Sequence, residues 1–169
     1  MKFLKLTALI PVSLALCTVL SSCEEDSELD RVNAYVKTDI PLTGAQVAPV
    51  PTNSTAIGSL DVGYDKRSKV LNYELTWTGL RDTIVGVTIF GPAPVGFASA
   101  SVKQAVPAFT ADLKANQRNF PYAAGSYKGS VNVDDVVVKE QDLLNFYYYI
   151  VIRTKAFPSG EIRAQIKFQ

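Results

Sequence analysis

Histidine is absent from this 169-residue chain, and cysteine occurs only at Cys17 and Cys23. A Ser-His-Asp triad needs imidazole, so the composition excludes it, and too few soft ligands remain for a zinc or copper site. Calcium needs several oxygen ligands, but the adjacent pair Asp134 and Asp135 lacks the regular spacing of a calcium loop and is typical of a turn. We therefore expect no catalytic residue, no metal site and no cofactor.

Other chemistries leave weaker signals in the chain. A glycosidase needs only two carboxyl groups at a suitable distance, which the sequence allows without indicating a particular pair. Neither a Gly-x-Ser-x-Gly elbow nor a glycine-rich phosphate loop is present. The 17 basic and 16 acidic residues are balanced, so we expect no nucleic-acid partner. The sequence predicts a protein that is not an enzyme, with a carboxylate-based hydrolase as the catalytic alternative.

The first 23 residues have the pattern of a bacterial lipoprotein signal. Two lysines precede an apolar run over residues 6–20, which is shorter than the ~20 residues of a membrane-spanning helix. The run ends in Leu20-Ser21-Ser22-Cys23, so we expect removal of residues 1–22 and attachment of lipid to Cys23. The mature chain of 147 residues then has a net charge near −1, and its lipidated cysteine leaves none for a disulfide.

An acidic segment follows the lipidation site. Residues 23–31 include Glu24-Glu25-Asp26 and almost no apolar side chain, as expected of a flexible tether. The acidic triplet resembles the surface-export signal of Bacteroidetes lipoproteins, and a merely soluble linker is the alternative. We expect an outer membrane lipoprotein of the bacterial cell envelope, held to the membrane through the lipid on Cys23, with surface exposure left open.

The remaining segment, residues 32–169, has the length of one domain and the period of β-strands. From Val70 to Thr78, apolar and polar side chains alternate, which places Trp77 in the core. We predict a short helix at 139–145, with Leu143 and Leu144 facing the core, and a long loop at 106–124. Further strand-like runs cover residues 32–36, 57–62, 84–90, 98–106, 126–133, 146–154 and 161–168. The pattern predicts an all-β, antiparallel sandwich.

Four segments, taken together in order and spacing, resemble the chordin-type domain known as CHRD. They are residues 42–52 (LTGAQVAPVPT), 56–58 (AIG), 91–93 (GPA) and 158–166 (PSGEIRAQI). The resemblance implies an immunoglobulin-like or superoxide-dismutase-like β-sandwich, which agrees with the strand pattern. It also implies a domain that bacteria commonly secrete or anchor by lipid, with a poorly defined biochemical role.

The chain departs from the CHRD pattern at its histidines. The usual pattern has His-Ile-His before Gly-Pro-Ala and a further His-Thr late in the penultimate strand. This chain has Thr88-Ile89-Phe90 and Arg153-Thr154 at those positions. Alternation places Thr88 and Phe90 on one face, so in relatives the two histidines would share a face and could meet the third. No metal or proton chemistry of those histidines carries over to this chain.

In the last segment, Glu161 and Arg163 share one face of the predicted final strand. We predict that they form a surface ion pair with each other or with a neighbouring strand, worth roughly 0–1 kcal/mol. A ligand-binding carboxylate at Glu161 is the alternative.

The aromatic run from Phe146 to Tyr149 raises a binding hypothesis. Alternation places Tyr147, Tyr149 and Arg153 on one face of the strand and Phe146 and Tyr148 on the other. Both faces are largely apolar, as in a strand that is covered on both sides. Plain packing is the preferred interpretation. The alternative is a ligand face formed by Tyr147, Tyr149 and Arg153.

Two modification patterns are also visible. Asp82-Thr83-Ile84 resembles the O-glycosylation motif of secreted Bacteroidetes proteins, which makes Thr83 a predicted glycosylation site. Asn53-Ser54-Thr55 fits the N-glycosylation pattern, but a bacterial lipoprotein is rarely modified that way.

Together, these features predict a lipid-anchored binding or adhesion module that presents a sandwich face or end loops to an extracellular glycan or protein. A structural envelope protein without a dedicated ligand is the main alternative.

Overall fold

A computed structural model describes residues 33–99, 101–106 and 124–168 as an antiparallel β-fold. In chain order the elements are β1 (Ala34–Thr43), a 3-10 turn (Gly44–Gln46), β2 (Ile57–Asp65), β3 (Val70–Thr78), β4 (Ile84–Phe90), β5 (Val102–Ala105), β6 (Ala124–Asn132), α1 (Glu140–Leu144), β7 (Tyr149–Thr154) and β8 (Ile162–Gln165). The predicted signal, the tether with Cys23 and most of the predicted long loop lie outside the described residues. Within the described ranges, no helix is long and apolar enough to span a membrane.

The eight strands form one sheet in the order β5-β4-β7-β8-β1-β2-β3-β6, and every neighbouring pair is antiparallel. A single residue pair, Thr43 with Arg163, joins β1 to β8, so the sheet divides there into two four-stranded halves. The two outer strands approach each other, since the Gln104 amide on β5 donates to the Ser130 carbonyl on β6 at 2.8 Å. This nearly closed sheet confirms the predicted all-β, sandwich-like class.

The main core lies between the two halves. On β3, Leu71, Tyr73, Leu75 and Trp77 are buried, while the polar side chains between them are half-buried or exposed. The predicted core position of Trp77 is therefore confirmed. Isoleucines from β4 and β7 in the opposite half belong to the same cluster, so one apolar core holds both halves together.

Most predicted strand boundaries differ from the structure by a few residues, and at β1 and β7 the backbone shows the reason. β1 runs on to Thr43, past a shift in its pairing with β2 between Lys37 and Ile40, where Asp39 has a φ of 56°. Such a bulge interrupts the period-2 pattern, which hides the second half of the strand. β7 begins only at Tyr149, because Phe146 has a φ of 62° and belongs to the turn after α1.

The helix and the acidic turn before it agree with the sequence prediction. α1 is two residues shorter than predicted, and its Leu143 is buried. Hydrogen bonds from the backbone N–H groups of Val136, Val137 and Val138 to Asp134 hold the pKa of that carboxyl below its usual value. Asp135 accepts the N–H of Glu140 at 2.8 Å at the start of the helix. The acidic pair therefore shapes a turn.

Gly44 lies where the loop after β1 crosses the segment before β8. Its carbonyl accepts the N–H of Thr52 at 3.0 Å, and the Thr52 hydroxyl donates to the Glu161 carbonyl at 2.8 Å. A Cβ atom on Gly44 would lie 2.4 Å from the Thr52 hydroxyl oxygen and 3.3 Å from the Glu161 carbonyl oxygen. This crossing has no room for a side chain.

Replacement of Gly44 tests the crossing. Gly44→Ala should lower the free energy of unfolding by about 1–3 kcal/mol, because the added methyl group forces the two segments apart. Gly63→Ala is the matched control, since its nearest neighbour would be the Val36 side chain at 4.0 Å. The control should unfold at the wild-type urea concentration or slightly above it. Equal losses in the two variants would contradict this account.

Candidate functional site

The candidate site lies on the outer face of β4, β7 and β8, which is directed away from the main core. Ile150 and Ile152 of β7 belong to the main core, whereas Tyr149 and Val151 pack in a second cluster with Ala93. The register places Gln165 beside Tyr149 and Arg163 beside Val151. Two loops border these β8 side chains, residues 45–51 after β1 and residues 93–96 after β4. The outer face is therefore buried by loops.

Arg163 is the more deeply buried of the two arginines on this face, at 2% exposed, while Arg153 is half-buried. The Arg163 guanidinium carbon lies 3.6 Å from the centre of the Tyr149 ring, and Nη2 donates to Gln165 Oε1 at 2.9 Å. Nη1 has no hydrogen-bond partner, and no carboxylate in the described part of the chain pairs with the guanidinium. Burial lowers the pKa of Arg163, but an arginine stays protonated at neutral pH. Its positive charge is thus unbalanced.

Neighbouring side chains hold the guanidinium in place. The Gln165 amide nitrogen donates to the carbonyls of Ala93 at 3.1 Å and Phe146 at 2.5 Å, so its oxygen points to Arg163. The Tyr149 hydroxyl accepts the N–H of Ser99 at 2.8 Å and donates to the Ser99 carbonyl at 3.0 Å. Because both contacts of Arg163 are themselves anchored, its position is rigid.

An open pocket of about 240 Å³ lies against Arg163 and Gln165. That volume corresponds to roughly eight waters of liquid. Val95, which lines the pocket, is 70% exposed, and Phe97, two residues further along the same loop, is 64% exposed. Apart from Arg163 and the two glutamines, the lining is apolar or glycine, and none of the described lining residues is acidic: Ala45, Gln46, Val47, Ala48, Pro49, Pro51, Val95, Gly96, Arg163 and Gln165. An apolar pocket with a few fixed polar groups is typical of a ligand site.

A larger hollow on the other half of the sheet is a weaker candidate. It has a volume of about 350 Å³ and is lined by Asp61, Glu74 and Lys128 among others. Lys128 and Glu74 pair with each other at 2.7 Å, and Asp61 accepts the N–H of Asp39 at 2.8 Å. Its charged groups already have partners in the protein, whereas Arg163 does not.

The predicted surface ion pair between Glu161 and Arg163 is wrong. Glu161 is fully buried, and its carboxylate accepts hydrogen bonds from Ser54 Oγ at 2.7 Å, the Arg81 N–H at 2.9 Å and Thr154 Oγ1 at 2.7 Å. Loops cover both residues, and strand alternation does not reveal this. Because protein donors occupy both Glu161 oxygens, the structure favours a structural role over a ligand-binding one.

The positions of the CHRD histidines also lie on the outer face. Thr88 is paired with Val151 and Phe90 with Tyr149, while Arg153 lies opposite Gly86. Alternation therefore brings these positions to one face, as expected. The Thr88 hydroxyl and the Arg153 Nε are buried without a partner. Within the described ranges, no cluster of three acidic or cysteine residues could hold a metal ion.

The predicted ligand face of Tyr147, Tyr149 and Arg153 is not one open surface. Tyr147 is 37% exposed, but Tyr149 is 4% exposed and stacks on Phe90 with ring centres 5.6 Å apart. Arg153 is half-buried over Gly86. A joint binding role for the three residues stays a prediction, while Tyr149 supports Arg163. Glycosylation of the half-buried Thr83 also stays a prediction.

Sequence reasoning missed Arg163 and Gln165 as site residues. They alternate with the buried Ile162, Ala164 and Ile166, so the pattern suggests a solvated polar face. The sequence did contain one signal for the site. Residues 45–51 and 93–97 are mostly apolar, which is unusual for loops in water and indicates that they pack over part of the sheet.

The role of Glu161 predicts a large loss of stability on truncation. Glu161→Ala leaves three donors without an acceptor and should lower the free energy of unfolding by about 3 kcal/mol. Glu161→Gln keeps one oxygen and should lose less. The control, Glu74→Ala, removes a half-exposed ion pair and should lose under about 1 kcal/mol. Urea unfolding followed by circular dichroism gives the values, and an equal loss for Glu161→Ala and Glu74→Ala would contradict the assigned role.

Comparison with known proteins agrees with the fold and the resemblance. The CHRD domain family model matches residues 38–166, which is 129 of the 169 residues and includes β2 to β8 and every residue that lines the pocket. Neither the curated proteins nor the solved structures include a match. This chain belongs to the CHRD domain family.

Proposed function

We propose that this protein is a lipid-anchored binding module of the bacterial cell envelope, with its ligand site in the pocket against Arg163. The observation that carries the binding role is the buried, unpaired Nη1 of Arg163, a residue that lines an open apolar pocket. Buried polar groups in folded proteins nearly always have hydrogen-bond partners, and an orphaned one costs about 1–3 kcal/mol. A ligand that accepts this hydrogen bond would offset that cost.

The size of the pocket favours a sugar residue of an extracellular glycan over a protein ligand. A stable protein interface covers about 800 Å² of surface on each partner. A pocket of about 240 Å³ has room only for one small chemical group, such as a single sugar ring. Pro49, Pro51 and Val95 offer apolar walls against which the C–H groups of a sugar ring can pack. We therefore propose a glycan ligand. A protein ligand is one outcome of the test below.

Binding is preferred to catalysis because none of the described residues that line the pocket carries a carboxylate. A carboxylate-based hydrolase needs two carboxyl groups on either side of the bond that it cleaves. None of the described residues that line the pocket is acidic, and Glu161 is occupied by three hydrogen bonds. The described lining therefore offers no pair of carboxyl groups for this chemistry.

The lipid anchor is supported by the sequence of residues 1–31, which ends its apolar run in Leu20-Ser21-Ser22-Cys23. Cys23→Ala should release the protein from the envelope fraction, because a cleaved lipoprotein has no other membrane attachment. Cys17→Ala is the control and should stay in that fraction, since this cysteine lies within the apolar run. Fractionation followed by immunoblotting measures both variants. Retention of Cys23→Ala in the membrane would contradict the proposed anchor.

The binding role is tested by screening the detergent-solubilised full chain against arrays of glycans and extracellular proteins. We expect a saturable glycan signal that falls roughly tenfold in Val95→Gln, because the polar side chain replaces apolar contact at the pocket. Val136→Gln is the matched control. Val136 is 79% exposed and does not line the pocket, so its signal should equal that of the wild type.

The other outcomes of this screen are equally informative. A signal from proteins alone would replace the glycan with a protein ligand. An equal fall in the two variants would place the site elsewhere, and no signal on either array would favour the structural envelope protein.

A further inference from the structure

We propose that the pocket binds a carboxylate group, supplied by an acidic sugar of the glycan, and that Arg163 is its anion-binding residue. This inference rests on the proposed function and specifies the ligand chemistry of the same site. It follows from three features of the site, which are a buried arginine without a counter-charge in the described part of the chain, an unpaired guanidinium nitrogen, and the size of the pocket.

Arg163 differs from the paired cations elsewhere in the described part of the chain. Lys128 pairs with Glu74, and Lys69 pairs with Glu140, so those charges are balanced within the protein. The other arginine of the outer face, Arg153, is only half-buried and does not line the pocket. Arg163 is nearly inaccessible, and within the described ranges its contacts are neutral, the Tyr149 ring and the Gln165 amide. A buried charge without a counter-charge is unfavourable, so the pocket has a strong preference for an anion.

The number of free donors indicates the kind of anion. Nη2 of Arg163 donates to Gln165, whereas Nη1 is buried and has no hydrogen-bond partner in the described part of the chain. Arg163 is the one cation among the described lining residues. The backbone of these residues belongs to strand β8, to loops and to the short 3-10 turn, not to a long helix or a glycine-rich loop. Phosphate sites normally use several such donors. A singly charged carboxylate matches one arginine better than a doubly charged phosphate does.

The walls indicate what carries the carboxylate. The prolines and Val95 form an apolar surface, and Gln46 adds one polar side chain at the edge. The Gln46 amide nitrogen donates to the Pro41 carbonyl at 2.6 Å, which leaves its oxygen as an acceptor for a hydroxyl group. A sugar acid offers a carboxylate, an apolar ring face and hydroxyl groups together, and one ring suits a volume of about 240 Å³. We therefore favour a hexuronate over a simple fatty acid.

The test is a titration of the detergent-solubilised full chain with three probes at equal ionic strength, followed by nuclear magnetic resonance. The probes are sodium glucuronate, glucose and sodium acetate. Glucuronate should bind with a Kd on the order of 1 mM, as expected of one charge-assisted contact with modest apolar burial. Glucose and acetate should each bind at least about tenfold more weakly, because each lacks one half of the recognised group.

Variants assign the binding to Arg163. Arg163→Met keeps an unbranched side chain but removes the charge, and it should weaken glucuronate binding roughly ten- to hundredfold. Arg67→Met is the matched control, because it removes the same charge from an exposed turn that does not line the pocket. The unfolding midpoint of each variant shows whether it is folded. If Arg163→Met does not fold, Arg163→Lys serves instead, since it keeps the charge but loses the planar contact with Tyr149.

Each other outcome overturns part of the proposal. Glucose binding as tightly as glucuronate would overturn the carboxylate assignment while leaving glycan binding intact. Acetate binding as tightly as glucuronate would make a free carboxylate the ligand and overturn the sugar. Loss of binding in Arg153→Met but not in Arg163→Met would move the site to the Tyr147, Tyr149 and Arg153 face. If no probe binds with a Kd in the millimolar range or lower, the inference is overturned. The glycan array then tests the proposed function separately.

Discussion

Two opposite charges, Glu161 and Arg163, are buried two residues apart at the start of the last strand, and they do not pair with each other. Glu161 receives hydrogen bonds from Ser54, Arg81 and Thr154, which belong to three segments distant in sequence. Because a buried carboxylate without these donors is highly unfavourable, the segments are held together at one end of the sheet. The close crossing of Gly44 with Thr52 and the Glu161 carbonyl depends on the same arrangement. The loop after β1 is thereby fixed over the outer face.

Arg163 shows the consequence of that arrangement. The fixed loop and the segment after β4 bury its guanidinium without supplying an anion. Tyr149 and Gln165 hold the group still, and their own partners are backbone atoms, so the geometry does not rely on a ligand to form. Because Nη1 has almost no exposed surface, an anion reaches it only through a small shift of the pocket walls, while Tyr149 and Gln165 keep the guanidinium itself in place. The proposed binding role would account for this unfavourable burial of Arg163.

The sequence predicts the strands far better than it predicts the site. Alternation in residues 70–78 correctly places Trp77 inside, and it correctly brings Thr88, Phe90 and Arg153 to one face. Local patterns fail where the backbone leaves regular geometry, as at Asp39 and Phe146, whose positive φ angles displace the ends of β1 and β7. They fail again at Glu161 and Arg163, because alternation identifies the face of a side chain but not whether a distant loop covers it. The site depends on such long-range packing, which no short motif records.

The most direct test of this account is a crystal structure of the full chain grown with sodium glucuronate above its Kd. The account predicts a carboxylate oxygen within about 2.7–2.9 Å of Arg163 Nη1, with the sugar ring against Pro49, Pro51 and Val95. An empty pocket in which Nη1 bonds to a carboxylate of the chain itself would contradict it, because Arg163 would then be a balanced structural charge.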